Sequence, residues 1–147
     1  MEENKLVNPK ILFFTTDYLP LIGGIATYCY ELANNLSKSH QLILLTSYYR
    51  GCKKFDTEQN FYTIRVINFP LVRELFFFIT VIFLTATKKV NCILNGVWFP
   101  CGVLSYFAHI MFKIPYYISA HGSEIFDDNL SLKRRIKSKL IWIKKIV

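Results

Sequence analysis

The stretch "KILFFTTDYLPLIGGIATYCYELANNLS" (residues 10–37) decides the fold. It opens with a short apolar run that ends in polar residues, the signature of a buried strand. It then passes through a Pro- and Gly-containing turn into a segment from Gly24 to Ser37. In that segment Ile25, Cys29, Leu32, Ala33 and Leu36 recur at helical spacing on one face. A buried strand followed at once by an amphipathic helix is the opening unit of an α/β sheet. The turn has glycines at 23 and 24 but not the G-x-G-x-x-G of a dinucleotide site.

Working outward, the same alternation continues. "HQLILLTSYY" (40–49) reads as a second strand, followed by a polar loop containing Gly51, Lys53, Lys54 and Asp56. "FYTIRVINF" (61–69) is a third strand, stopped by Pro70. "LVRELFFFITVIFLTATKK" (71–89) is a helix, "NCILNGVW" (91–98) a fourth strand, and "CGVLSYFAHIMFK" (101–113) a helix after Pro100. "PYYISAHG" (115–122) is a fifth strand, and a last helix starts near Ser131. The strands are continuous apolar runs rather than alternating ones, as expected when both faces of a sheet are covered. The predicted fold is α/β, a doubly wound parallel sheet formed by a single Rossmann-like domain over residues 1–147. The chain ends at "KKIV", inside an apolar pattern and with no cap, which reads as a truncated domain.

Charge is uneven along the 147 residues. Residues 1–130 hold 11 Lys/Arg and 10 Asp/Glu, a net +1, while residues 131–147 hold seven Lys/Arg and no acid. A nearly neutral body argues against a nucleic-acid partner. In the basic tail, Leu132, Ile136, Leu140 and Ile143 share one helical face, the pattern of either an ordinary solvated helix or one that lies on an anionic membrane. The run Leu75–Leu84 holds four phenylalanines and is broken only by Thr80. A helix over 71–86 would be roughly 24 Å long, short of the roughly 30 Å hydrocarbon core. It is therefore expected to pack between the sheet and a neighbouring element, the alternative being a partly exposed face that touches lipid. Cysteines at 29, 52, 92 and 101 have no C-x-x-C spacing and read as reduced thiols of a cytoplasmic protein. The polar start "MEENKLVNPK" lacks the basic and apolar regions of a signal peptide.

In doubly wound sheets ligands bind at the carboxyl ends of the strands, where strand order reverses. Two candidate features lie at that edge. The first strand ends at Asp17, and Gly23–Gly24 opens the helix whose N-terminus presents free N–H groups to an anion. The alternative is a tight turn with no ligand. After the fifth strand come His121 and Gly122, with Glu124 close behind. A histidine there is either structural or a hydrogen-bonding partner of a sugar hydroxyl, which Glu124 could also accept from. Lys10 and Lys38 lie at the far ends of their elements, so no basic cluster is expected beside the glycine turn.

The run "ILFFTTDYLPLIGGIATYCYELANNLSKSHQLILLT" (11–46) resembles the opening of the N-terminal domain of glycosyltransferase family 4, with its D-Y-x-P…G-G-I loop. "KKVNCILNGVWFPCGVLSYFAHIMFKIPYYISAHGSEIF" (88–126) resembles the later half of the same domain, with its HG-x-E signature. The resemblance implies the acceptor-side half of a two-domain GT-B enzyme that retains anomeric configuration and needs no metal or other cofactor. It implies a nucleotide-sugar donor and a glycan or lipid-linked acceptor, in cell-surface polysaccharide or glycolipid synthesis. It places Gly23 and Gly24 under the donor diphosphate and His121 beside the donor sugar as the catalytic-site residue. Asp17, Gly122 and Glu124 are implied on the acceptor or sugar side. The C-terminal donor-binding domain is absent from this sequence, so the chain is expected to be inactive alone. Its expected place is the cytoplasm, peripheral on the inner face of the cell membrane. Two other functions compete: a non-catalytic remnant that binds a sugar, a membrane or a partner protein, and an NAD-dependent enzyme. The latter is disfavoured by the missing G-x-G-x-x-G and by the lack of an acidic residue at the end of the second strand.

Overall fold

The apolar runs form five parallel strands, whose successive side chains point to opposite faces of one sheet. The computed structural model describes residues 10–87 and 89–121. In chain order it contains β1 (Lys10–Phe14), α1 (Gly24–Ser37), β2 (Gln41–Ser47), α2 (Cys52–Thr57) and β3 (Tyr62–Val66). These are followed by α3 (Val72–Ala86), β4 (Cys92–Asn95), a π-helical turn (Trp98–Gly102), α4 (Val103–Phe112) and β5 (Tyr116–Ile118). The sheet order is β3-β2-β1-β4-β5, all parallel. The chain winds outward from β1 to β3, then returns to the other side of β1 for β4. Strand order thus reverses between β1 and β4, with Leu12 opposite both Ile43 and Ile93.

Alternation along β1 sorts the core into two layers. Leu12 and Phe14 join Phe77, Val81 and Leu84 of α3 and Ala108 of α4 on one face. Ile11 and Phe13 join Cys29 and Ala33 of α1, with Tyr18, on the other. Phe14 meets Phe77 edge-on, with ring centroids 4.9 Å apart. The helical face read for α1 is the inward one: Cys29 and Ala33 are buried, and Ile25, Leu32 and Leu36 pack at its margin.

Three local expectations change. The segment after β2, expected as a loop, contains the short helix α2, with Cys52 buried at its start. The helix after β4 begins in a π-helical turn that includes Pro100 and is interrupted by extended backbone at Phe99. The third change concerns α3. Its inner side is buried as expected, but no element covers its outer side among the described residues: Leu75, Phe76, Ile79 and Phe83 are each half exposed or more. No described helix is long and apolar enough to cross a membrane. The basic segment 131–147 and its expected helix lie outside the described residues.

The junction between β1 and β4 is tightly packed. Past the end of β4, the Gly96 amide donates to Phe14 O at 2.9 Å. A Cβ on Gly96 would lie 2.6 Å from Cys29 Sγ and 2.9 Å from both Cβ and Oγ1 of Thr15. These are short side chains on α1 and at the end of β1, so neither can swing aside. Gly96→Ala is therefore expected to destabilise the chain by about 1–3 kcal/mol through overpacking, read as a lower urea midpoint. An unchanged midpoint would show that the junction has slack.

Candidate functional site

The carboxyl edge of β1, β4 and β5 brings together three loops. The first follows β1. Thr15 Oγ1 lies 3.5 Å from Cys29 Sγ, 3.3 Å from the Asp17 amide and 3.2 Å from Asp17 O, which turns the chain out of the sheet. Asp17 is half-buried, with its carboxylate accepting from Thr16 Oγ1 at 3.3 Å. The loop then runs to Gly23 and Gly24 at the start of α1.

Both glycines are exposed, and a Cβ on either would meet nothing within 4 Å. Gly23 is extended and neither residue is in the left-handed region, so neither backbone strain nor packing demands glycine. No side chain caps the helix. Its first N–H groups have no intrahelical acceptor, and the two glycines leave the space beside them open. The favourable end of the helix dipole and an unobstructed approach coincide there.

The second and third loops follow β4 and β5. Asn95 is buried and links β4 to its neighbours: its Nδ2 donates to Tyr117 O at 2.9 Å and its Oδ1 accepts from Ser105 Oγ at 2.7 Å. Ser119 N donates to Asn95 O at 2.8 Å, carrying the ladder past β5. His121 then folds back over β4, with Nε2 2.8 Å from Gly96 O. A carbonyl can only accept, so Nε2 carries the proton. In the neutral ring, Nδ1 is then a lone-pair acceptor. The His121 ring meets the Tyr28 ring of α1 edge-on at 5.2 Å, and the Tyr28 hydroxyl accepts from Ser119 Oγ at 3.0 Å. His121 and the helix that opens at Gly24 are therefore in contact through Tyr28, one turn into α1.

Gly122 and Glu124 lie outside the described residues. Sequence reading missed Tyr28, Gly96, Asn95 and Ser119, because no motif marks them and their partners are far away in the chain. It also missed Arg65. No basic cluster is expected beside the glycine turn; a single cation, Arg65 of β3, reaches its loop. Its Nη2 donates to Leu19 O at 2.8 Å and its Nη1 to Ser47 O at 3.0 Å, and its guanidinium is 5.7 Å from the centre of the Tyr18 ring. The ion pair with Asp56, 2.7 Å at Nη2, neutralises it. Arg65 thus braces the 17–21 loop rather than presenting free charge.

Burial raises the thiols beneath this edge. Cys29 is pushed up to about 11 from the ordinary 9.0, against a lowering by its hydrogen bond to Thr15, and Cys101 lies well above its ordinary value for the same reason. All four cysteines are free. Among the described residues, no group of three or more His, Cys, Asp and Glu could hold a metal ion.

No family model matches the chain, and no curated protein matches it in sequence. Among solved structures it is similar to MurG of Acinetobacter baumannii, with a TM-score of 0.55 at 13% identity. The match covers 76% of this chain and 35% of that one, so the chain spans about a third of the length of MurG. MurG is a GT-B glycosyltransferase, and the five-stranded parallel sheet with its flanking helices matches a Rossmann-like half of that architecture. At this identity the likeness is one of fold. It supports the GT-B class and does not single out family 4.

Two measurements separate the roles of these residues. Gly24→Ala meets no neighbour and replaces a poor helix former at the first helical position. It is expected to leave stability unchanged or raise it by up to about 1 kcal/mol; a marked loss would mean that the fold itself needs this glycine. Cys29 gives a pH dependence. Its folded-state value is raised, so above pH 9.0 the unfolded chain loses a proton that the folded chain keeps. Stability is therefore fully present below about pH 9 and falls as pH rises towards about 11, by up to roughly 3 kcal/mol for this group. Urea midpoints across that range should fall less steeply for Cys29→Ala than for the natural chain. Parallel slopes would remove Cys29 as the cause.

Proposed function

We propose that this domain is one wall of a GT-B glycosyltransferase site, the acceptor-side half of an enzyme that moves a sugar from a nucleotide sugar to a glycan or lipid-linked acceptor. The observation that supports this most is that one sheet edge carries an open, uncapped helix N-terminus at Gly23–Gly24 and His121, which bonds Gly96 and touches the same helix through Tyr28. The fold likeness to MurG agrees with that class.

In this reading the α1 amides approach the donor diphosphate, which only a residue without a side chain lets near. His121 Nδ1, with Nε2 committed to Gly96 O, accepts a hydrogen bond from a hydroxyl of the transferred sugar. Asp17 lies along the same edge on the acceptor side, with Gly122 and Glu124 beyond the described residues. Anomeric configuration is retained, and no metal is needed. The leaving diphosphate requires positive charge placed on it in the transition state. Arg65 is already paired with Asp56, so that charge comes from a second, donor-binding domain. The enzyme works on the inner face of the cell membrane, in polysaccharide or glycolipid synthesis.

Nuclear magnetic resonance titration of the 147-residue chain with nucleoside diphosphate sugars tests the site. Weak, millimolar binding is expected, with amide shifts at Gly23, Gly24 and His121 that Gly24→Val abolishes. Shifts elsewhere only, or an unchanged pattern in the variant, would overturn the assignment. In an enzyme that includes the second domain, His121→Ala should lower turnover about tenfold to hundredfold, the loss of roughly 1–3 kcal/mol of hydrogen bonding. The 147-residue chain alone should not label lipid acceptors from radiolabelled nucleotide sugars. Sustained, multiple-turnover labelling would show that the site is complete without a second wall.

A further inference from the structure

Helix α3 is apolar on two opposite sides, and only one of them is buried. Phe77, Val81 and Leu84 face the sheet. At 100° per residue, Leu75, Phe76, Ile79 and Phe83 fall on the opposite side, with exposures of 57, 50, 52 and 55%. The strip broadens onto α4. Phe107 touches Phe78 of α3, ring centroids 6.4 Å apart, and is itself 47% exposed, with Ile110 and Met111 exposed beside it. At the other end the strip runs into the loop after β3, where Ile67, Phe69 and Leu71 are 60, 63 and 85% exposed. A helix that is apolar all round needs a second apolar medium, and an exposed patch of this kind marks an interaction surface.

Charge selects the medium. The helices α3 and α4 carry one acid, Glu74, and it is engaged by Arg73 of the same turn in an ion pair. The remaining cations stand at the C-terminal ends of the two helices. Exposed Lys89 has its ammonium 5.1 Å from the centre of the Phe83 ring, and exposed Lys113 follows α4. Neither has a carboxylate partner among the described residues. An uncharged strip with cations at its end complements a bilayer that carries negative headgroups over hydrocarbon. An apolar protein surface without acidic residues would leave those cations without that match.

We infer that the outer face of α3 and α4, from Leu75 to Phe83 and across to Phe107 and Met111, lies on the surface of an anionic lipid bilayer, with Lys89 and Lys113 at headgroup level. The roughly 22 Å length of α3 lets it lie in the interface but not span. This surface is formed by α3 and α4 and does not depend on what the sheet edge binds.

The test is co-sedimentation of the 147-residue chain with vesicles of phosphatidylcholine and phosphatidylglycerol, and with vesicles of phosphatidylcholine alone. Binding to the mixed vesicles is expected, weakened by salt. The double variant Ile79→Ser/Phe83→Ser should lose at least about tenfold in partitioning, while Ile79→Leu/Phe83→Leu keeps it; circular dichroism checks that both fold. On the natural chain, hydroxyl-radical oxidation of Phe83 and Met111 should drop when vesicles are added, a readout that needs no variant. Wild-type partitioning in the folded serine variant would overturn the inference and leave the basic tail as the membrane element. So would undiminished oxidation of bound protein, failure of the natural chain to bind mixed vesicles, or a dimer in sedimentation velocity that the serine variant dissolves without any lipid binding.

Discussion

The two halves of this sheet meet along the β1–β4 ladder, and the close approach of Gly96 to the Thr15–Cys29 pair is what lets their loops leave it side by side. Strand order reverses between β1 and β4, and a loop leaves each strand at that point. With no side chain at 96, the β4 loop sits directly against the β1 loop and the first buried turn of α1. That closeness lets the Gly96 amide extend the β1 ladder while its carbonyl faces outward to receive His121. A larger residue would part the strands where the crevice begins.

Around that contact the polar groups are arranged to fix position rather than to store free charge. Asn95 spends both ends of its amide on β5 and α4, Arg65 ties the 17–21 loop to β3 and α2, and Tyr28 leans on His121. Among the described residues, the groups this edge offers to a ligand include the first amides of α1 beside two open glycines and one nitrogen of an imidazole. Such a set can orient a phosphate and a sugar hydroxyl. It cannot by itself neutralise a departing diphosphate, which is why the proposed chemistry needs a second wall.

The two sides of the sheet are finished differently. The α1 layer closes a core and turns Tyr28, Glu31 and Asn35 outward, a conventional amphipathic solution. The α3–α4 layer closes a core as well but turns phenylalanine, isoleucine and methionine outward. The two layers bury their inner faces by the same physics, so the difference lies in what each outer face meets.

The sequence by itself determined the α/β class. Short apolar runs bounded by Pro, Gly and polar residues, alternating with helical segments, are the pattern of strands in a parallel sheet, and the apolar spacing within residues 24–37 names the inward face of α1. It also located the carboxyl edge, because Asp17, Gly23, Gly24 and His121 each stand where a strand ends. The tertiary structure decided the rest. That Gly96 packs under Cys29, that Arg65 reaches Leu19, and that Ser119 bonds Tyr28 across a separation of 91 residues are non-local pairings, and no local propensity encodes them. α2 is too short for periodicity to reveal, with only Cys52 of its six residues buried. The Leu75–Leu84 run reads as a helix packed between the sheet and a neighbouring element, or as one with a partly exposed face, because hydropathy counts apolar residues without knowing how many faces the fold has partners for. Only the packed sheet shows that, among the described residues, the other side of α3 is left exposed.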